Sequence, residues 1–262
     1  MTSSIALTED DKSAFVRDGV LIRRRLLHGD RLDHAAALID DWYRHHYRAD
    51  GLTAYTNRTF APELDRHPDL LALFHDGGLA DLVEQLLCPA LTSPVTTAQV
   101  QIRLPDAASQ PAKAMHVDGV ACPHLDAAEL RTFTLIAGVM LCGLPAAEAG
   151  ALHYMPGGHW RMARHFATDW RLGDGEQTPP DVAAQPGTPL LAEPGDAIVM
   201  HHLVPHRVAA NTSPVPRTMA YFRVRHHDHD QLALRALRDP WLEYPGLRDL
   251  AQHHAPVDPQ PL

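Results

Sequence analysis

The sequence predicts a mainly β protein, a β-sandwich or jelly roll buttressed by N-terminal helices. Three observations carry this reading. Apolar residues recur at helical spacing through the first part of the chain. From about residue 94 short β-rich runs replace them, and nowhere do strands and helices alternate as βαβ units. The length of 262 residues suits one all-β domain. We expect a single domain over 1–262, with a helical support layer over 1–93, a β core carrying the site over 94–230, and a helix or extended arm over 231–262.

The elements follow in order. Thr8 before Glu9, Asp10 and Asp11 reads as a helix cap with acids in the first turn, and Phe15 and Val16 begin its apolar stripe. Gly19-Val20-Leu21-Ile22 is a short strand. Residues 28–47 place Leu32, Ala35, Ile39 and Trp42 at helical spacing. A third helix is expected over 67–87, bent near Gly77-Gly78. Strands are expected over 95–104, 131–141, 197–201 and 218–224, joined by Pro-, Gly- and Ala-rich stretches such as 143–150 and 173–189. The tail over 253–262, with three prolines, reads as an extended arm.

Composition narrows the function. Apolar residues at 45% exclude a disordered chain. The formal charge of −9 argues against nucleic acid and anionic membranes as partners. No run approaches the ~20 apolar residues of a membrane span, and the N-terminus has no basic patch followed by an apolar stretch. Cys88, Cys122 and Cys142 are odd in number and widely spaced, as expected of reduced thiols in a cytoplasmic protein. With 19 histidines, no single histidine is informative alone. Spacing has to carry the argument.

His116-Val117-Asp118 is the first informative spacing. In a strand, residues two apart face the same way, so one short segment can present an imidazole and a carboxylate to one ion. The second is Glu193-Pro194-Gly195-Asp196, a tight turn feeding an apolar strand, followed by Pro205-His206, Asn211 and Arg217. Two histidines and a carboxylate form the facial arrangement of oxygen-activating iron(II), with three positions left open. An arginine offers a planar fork to a carboxylate. His201, His202 and His206 lie within six residues, and by this reading alone each is a possible third ligand.

In these stretches the sequence resembles the phytanoyl-CoA dioxygenase family of iron(II)/2-oxoglutarate oxygenases. The resemblance rests on HVD at 116–118, GALHYMPGGHW at 150–160, EPGDAIVMHHLVPHRVAANTSPVPR at 193–217 and ALTEDDKSAFVRDGVLIRRRLL at 6–27. It implies a double-stranded β-helix core. It also implies iron(II), 2-oxoglutarate and dioxygen, with succinate and CO2 released as a small molecule is oxidised. By position, His116, Asp118 and His206 match the iron ligands, and Arg217, eleven residues after His206, matches the co-substrate anchor. A related group of halogenases has a small residue where Asp118 stands, so the carboxylate favours hydroxylation of an unactivated carbon, or another oxidation, over halogenation. Desaturation, epimerisation, ring formation or a non-catalytic binding role stay open. The short, Ala-, Leu-, Arg- and Pro-rich chain points by analogy to specialised metabolism.

Strand parity adds further candidates. Arg217, Met219, Tyr221 and Arg223 share one face, as do Gln101 and Arg103. Gln101 and Thr134 are expected to help hold 2-oxoglutarate, and Arg103, Tyr221, Arg223 and His202 to border the substrate. Arg223 reads equally well as a solvent-side charge. His159 and Trp160 are expected in a structural turn, Met115 in the core, Cys122 and His124 in a lid loop, and 225–230 in a solvated loop.

Overall fold

The computed structural model describes residues 5–106, 108–120, 130–168, 170–172 and 178–254. Cys122 and His124, the expected lid residues, lie outside them.

Helix α1 (Glu9–Asp18) begins at a reciprocal cap: Asp11 N donates to Thr8 Oγ1 at 3.1 Å and Thr8 N donates to Asp11 Oδ2 at 2.9 Å. Gly19 ends it and leads into β1 (Val20–Arg23). Helix α2 (Asp30–His45) buries Leu32, Ala35, Ile39 and Trp42, and the short α3 (Leu52–Asn57) follows. The expected bent helix is two helices, α4 (Pro68–His75) and α5 (Leu79–Leu87), because the break at Gly77-Gly78 is complete.

The β region contains β2 (Gln99–Arg103), β3 (Leu135–Met140) and β4 (Leu152–Tyr154), then α6 (Gly158–Ala167) and α7 (Pro180–Ala183). It continues with β5 (Thr188–Pro189), β6 (Ala197–His201), β7 (His206–Val208) and β8 (Arg217–Val224), and closes with α8 (His229–Ala236) and α9 (Arg248–His254). His159 and Trp160 therefore open a helix, not a turn, since Met162, Ala163 and Phe166 give that segment an apolar face to bury. The start of the expected C-terminal arm is likewise helical in α9.

The strands form two antiparallel sheets, one ordered β1-β6-β3-β8-β2 and the other β5-β4-β7. An isolated bridge joins His116 to His206 and so adds the HVD segment to the edge of the smaller sheet. Each strand of the larger sheet divides its residues by parity. Ala137, Val139, Val199, Ala220 and Phe222 pack under the helices. Ile136, Met140, Met200, Met219 and Tyr221 pack against Leu152, Leu190 and Val204 of the smaller-sheet side. This is the jelly roll with a helical buttress. Gly138 pairs with Tyr221 across the β3–β8 ladder, and a Cβ there would lie 2.8 Å from the tyrosine ring. The missing side chain makes room for an aromatic on the inner face.

The 225–230 run is not the solvated loop its composition suggested. His226 and His229 are buried, and His229 starts α8 with Nδ1 2.6 Å from Glu243 Oε1. A carboxylate fourteen residues away in sequence makes that burial tolerable.

Candidate metal and co-substrate site

His116 and His206 are held opposite each other by a reciprocal backbone pair, His116 N to His206 O at 3.0 Å and His206 N to His116 O at 2.9 Å. Their rings lie 4.8 Å apart. The Nδ1 of each faces a carbonyl oxygen, Ala114 O at 2.9 Å for His116 and Val204 O at 3.0 Å for His206. A carbonyl only accepts, so Nδ1 carries the proton and Nε2 keeps its lone pair. Both Nε2 atoms point toward Asp118, whose Oδ1 is 3.7 Å from that of His116 and 4.0 Å from that of His206. The other carboxylate oxygen, Oδ2, accepts from Arg223 Nη2 at 3.0 Å, which leaves Oδ1 on the histidine side. One ligand atom from each of the three residues falls within 4.8 Å of the others.

Only His116 of the HVD segment makes a strand bridge; Asp118 leads into a turn at Gly119, φ 76°. The turn is imposed by close packing, since a Cβ on Gly119 would collide with the Arg131 backbone. Burial alone would raise the Asp118 carboxyl, but the charges of His206, Arg223 and His116 pull it down to about 2. Burial and the His116 charge lower His206 to about 4. An ionised carboxylate and imidazoles whose Nε2 atoms are not spent on hydrogen bonds are what a divalent cation requires, and this donor set fits iron(II) with positions to spare.

A cavity of about 120 Å³ opens over these atoms. Ile136, Leu152, Met200, Val208 and Tyr221 form its apolar side, and Arg223, Gln99, Gln101, Thr56, Asn57 and Lys113 its polar side. Arg217 stands on the same face of β8 as Tyr221 and Arg223, and is 2% exposed. Its Nε, Nη1 and Nη2 are all buried and have no carboxylate partner among the described residues; the Tyr221 hydroxyl is the polar group beside them. A buried cation with no anionic partner is costly by several kcal/mol, on the order expected for an unpaired ion. The arrangement fits an anion with two oxygens to offer.

The structure brings His116, Asp118, His206, Gln101, Tyr221 and Arg223 to one cavity. Gln101 spends its amide on Arg58 O at 3.2 Å, keeping its carbonyl oxygen uncommitted. Arg223 spans Asp118 and the Phe133 ring, 5.1 Å from its centroid, so it is not a plain solvent-side charge. Three expectations change. Thr134 is fully buried and its hydroxyl accepts the His226 N–H at 2.7 Å, which commits it to the chain leaving β8. His202 is packed between His201 and Phe133, away from the cavity lining. Arg103 also misses the lining, because its guanidinium turns to three carbonyl oxygens: Ala209, Gln110 and Pro111.

Gln99 was legible by parity with Gln101 and was missed. Thr56, Asn57 and Lys113 arrive from α3 and a loop, and no motif signals them. His226, His227 and Asp228 also approach within 4.8 Å of one another. There, however, His226 Nδ1 accepts the Asp228 N–H at 3.0 Å, so its lone pair is already used.

Two expected outcomes arise here. Thr134→Val removes the acceptor of a buried N–H and should cost about 1–3 kcal/mol, while 2-oxoglutarate affinity stays unchanged. Thermal unfolding and calorimetric titration check both; weakened 2-oxoglutarate binding would return Thr134 to the site. The second concerns acid. Burial lowers His159 and His202 well below the ordinary imidazole value and His201 to about 4. These rings stay neutral when folded, whereas the unfolded chain protonates them near 6.5, so stability falls as pH drops from 6.5 toward 4. The loss should approach about 1.4 kcal/mol per pH unit for each histidine. Calorimetric melting of the metal-free protein reads it, and an unchanged midpoint between pH 7 and 5 contradicts it.

The sequence profile of the phytanoyl-CoA dioxygenase (PhyH) family matches residues 15–219. Among solved structures, the chain is similar to the non-haem α-ketoglutarate-dependent carbocyclase SnoK from nogalamycin biosynthesis (TM-score 0.61, 20% identity, 88% of this chain and 92% of that one). It is also similar to EctD from S. alaskensis with 2-oxoglutarate and 5-hydroxyectoine (TM-score 0.61, 17% identity, 84% and 76%). HygX from Streptomyces hygroscopicus with nickel and 2-oxoglutarate has TM-score 0.57 and 14% identity, over 85% and 88% of the two chains. At these identities the likeness concerns the fold. No curated protein sequence matches the chain.

Proposed function

The chain belongs to the phytanoyl-CoA dioxygenase family of non-haem iron(II)/2-oxoglutarate-dependent enzymes, and from that premise we propose that it hydroxylates an unactivated carbon of a small molecule, with His116, Asp118 and His206 holding iron(II) and Arg217 holding 2-oxoglutarate. One observation carries this: two Nε2 lone pairs and Asp118 Oδ1 converge at a cavity lined by Tyr221 and Arg223 of β8, and the same face of that strand carries Arg217, buried with no carboxylate partner among the described residues although it is not itself part of the lining. When bound, iron(II) supplies the redox centre at which dioxygen oxidises 2-oxoglutarate to succinate and CO2 while the substrate is oxidised.

The chain's own residues define the rest. The Ala114 and Val204 carbonyls orient the imidazoles, and Arg223 orients Asp118. Arg217 offers its fork to the carboxylate of the co-substrate that lies away from the metal. Asp118 is a carboxylate where a related group of halogenases has a small residue, which supports hydroxylation or another oxidation over halogenation. The polar rim of Gln99, Asn57 and Lys113 supports a substrate with hydrogen-bonding groups. SnoK comes from nogalamycin biosynthesis, and we place this protein in specialised metabolism by that analogy. The unpaired thiols of Cys88 and Cys142 support a reducing, cytoplasmic setting. Among the described residues, no helix is long and apolar enough to cross a membrane.

The deciding experiment adds iron(II) and then 2-oxoglutarate under anaerobic conditions and follows visible absorbance. A 2-oxoglutarate-dependent charge-transfer band supports the reading. Its absence at saturating concentrations, with no succinate formed in air, ends it. A substrate screen by succinate release and product mass then separates hydroxylation, a gain of one oxygen, from desaturation, epimerisation or ring closure.

A further inference from the structure

Arg103 is a buried cation, 4% exposed, with no carboxylate partner among the described residues. Its position in the ladder is informative: on β2 it pairs directly with Arg217 on β8. Two guanidinium groups thus share one buried end of the inner face. Burial pulls Arg103 down to about 10, and the Arg217 charge adds to that. Neutral carbonyl oxygens alone compensate Arg103, and among the described residues no carboxylate compensates Arg217, which has only the neutral Tyr221 hydroxyl beside it.

The carbonyls Arg103 holds are not scattered. Nε donates to Ala209 O at 3.1 Å, three residues after His206. Nη2 donates to Gln110 O at 2.7 Å and Pro111 O at 3.0 Å, just before the segment that carries His116. One planar fork therefore straps together the two segments whose reciprocal backbone pair sets the His116–His206 geometry. Lys113 N to Val208 O at 3.3 Å continues the same junction. Asn211 secures the strap from behind by donating to Arg103 O at 2.9 Å. A lysine at this place would carry the charge but could not span both segments.

We infer that Arg103 is a positioning residue, which straps the two metal-ligand segments together and, through its charge beside Arg217, makes their order depend on an anion at the co-substrate anchor. This rests on the proposed 2-oxoglutarate site. An arriving carboxylate neutralises the paired cations, relieves their repulsion and seats the strap. An empty anchor leaves the strap under repulsion and the histidine pair looser.

The exchange measurement uses the full chain without metal, so that chelation plays no part, or with Mn(II) bound in parent and variant alike where 2-oxoglutarate binds only then; Mn(II) binding is titrated separately. In the parent protein, 2-oxoglutarate binding is measured by calorimetry, and amide hydrogen exchange is followed at Lys113 and Ala209. Added 2-oxoglutarate should slow exchange at both amides. Arg103→Lys should abolish that slowing and, with no co-substrate present, weaken Mn(II) binding about tenfold or more, in the range of lost outer-shell partners. Arg103→Gln should do the same. A purely structural role would lower the melting temperature and leave Mn(II) affinity of the folded protein and the exchange response intact. If either folded variant keeps parental Mn(II) affinity and exchange response, the inference is overturned. If neither folds, the parent decides: bound 2-oxoglutarate with no slowing at Lys113 or Ala209 overturns it and leaves the proposed function standing. If 2-oxoglutarate does not bind even to the parent, with or without metal, the proposed function falls and this inference with it.

Discussion

Alanine in place of His206 is expected to abolish succinate release while the protein stays folded. The imidazole supplies one of three donor atoms, and no other described side chain stands ready to replace it. His201 Nε2 lies 2.6 Å from Pro240 O, and His202 stacks on His201 within the core. Changes to groups that merely orient a ligand cost roughly 10–100-fold, so loss of the ligand itself should exceed that and reach the detection limit. The fold should survive, because the backbone pair between positions 116 and 206 does not use the side chain. The lost Nδ1 bond to Val204 O is worth about 1 kcal/mol. His116→Ala should behave alike. Succinate quantification and a melting curve are sufficient, and full turnover by either variant would remove that histidine from the metal site.

Arg217→Ala is the complementary case. The side chain is a buried cation with no carboxylate partner among the described residues. Removing one partner of a buried charge pair costs about 3–5 kcal/mol, which corresponds to roughly two to four powers of ten in affinity. The 2-oxoglutarate requirement should rise by about that factor, with iron(II) affinity in its absence not weakened. The same variant loses an uncompensated charge, so its ligand-free melting temperature should not fall as a large buried truncation ordinarily would. Parent protein at a hundredfold excess over Kd should gain about 2.7 kcal/mol from 2-oxoglutarate, and the variant almost none. Equal 2-oxoglutarate affinity in the variant would put the anchor elsewhere. Arg103 variants should instead affect metal binding as well, which separates the two neighbouring arginines.

These contrasts show how the site was legible. The interval from His206 to Arg217 and the HVD triplet are local patterns, and strand parity is a local consequence of the pleat. Arg217, Met219, Tyr221 and Arg223 share a face whatever the rest of the chain does. That face looks between the sheets because its even-numbered neighbours Ala220 and Phe222 are the ones apolar enough to lie under the helices. The helical first third was legible for the same reason, through spacing and the Thr8 cap.

What stayed hidden depends on contacts between distant segments. Thr134 has the right parity for the cavity, yet His226, ninety-two residues away, takes its hydroxyl. Arg103 has the right parity too, yet the Ala209 carbonyl, one hundred and six residues away, turns it into a strap. His229 sits in a polar run that reads as solvated, yet Glu243, fourteen residues on, meets it in the core. Donor types, their spacing and the face each strand residue occupies are local properties of the chain, because backbone geometry repeats every few residues. Which of those side chains remain uncommitted and which are spent on the fold depends on packing between distant segments. A buried polar group takes the nearest partner the packing supplies, and chain order does not encode that distance.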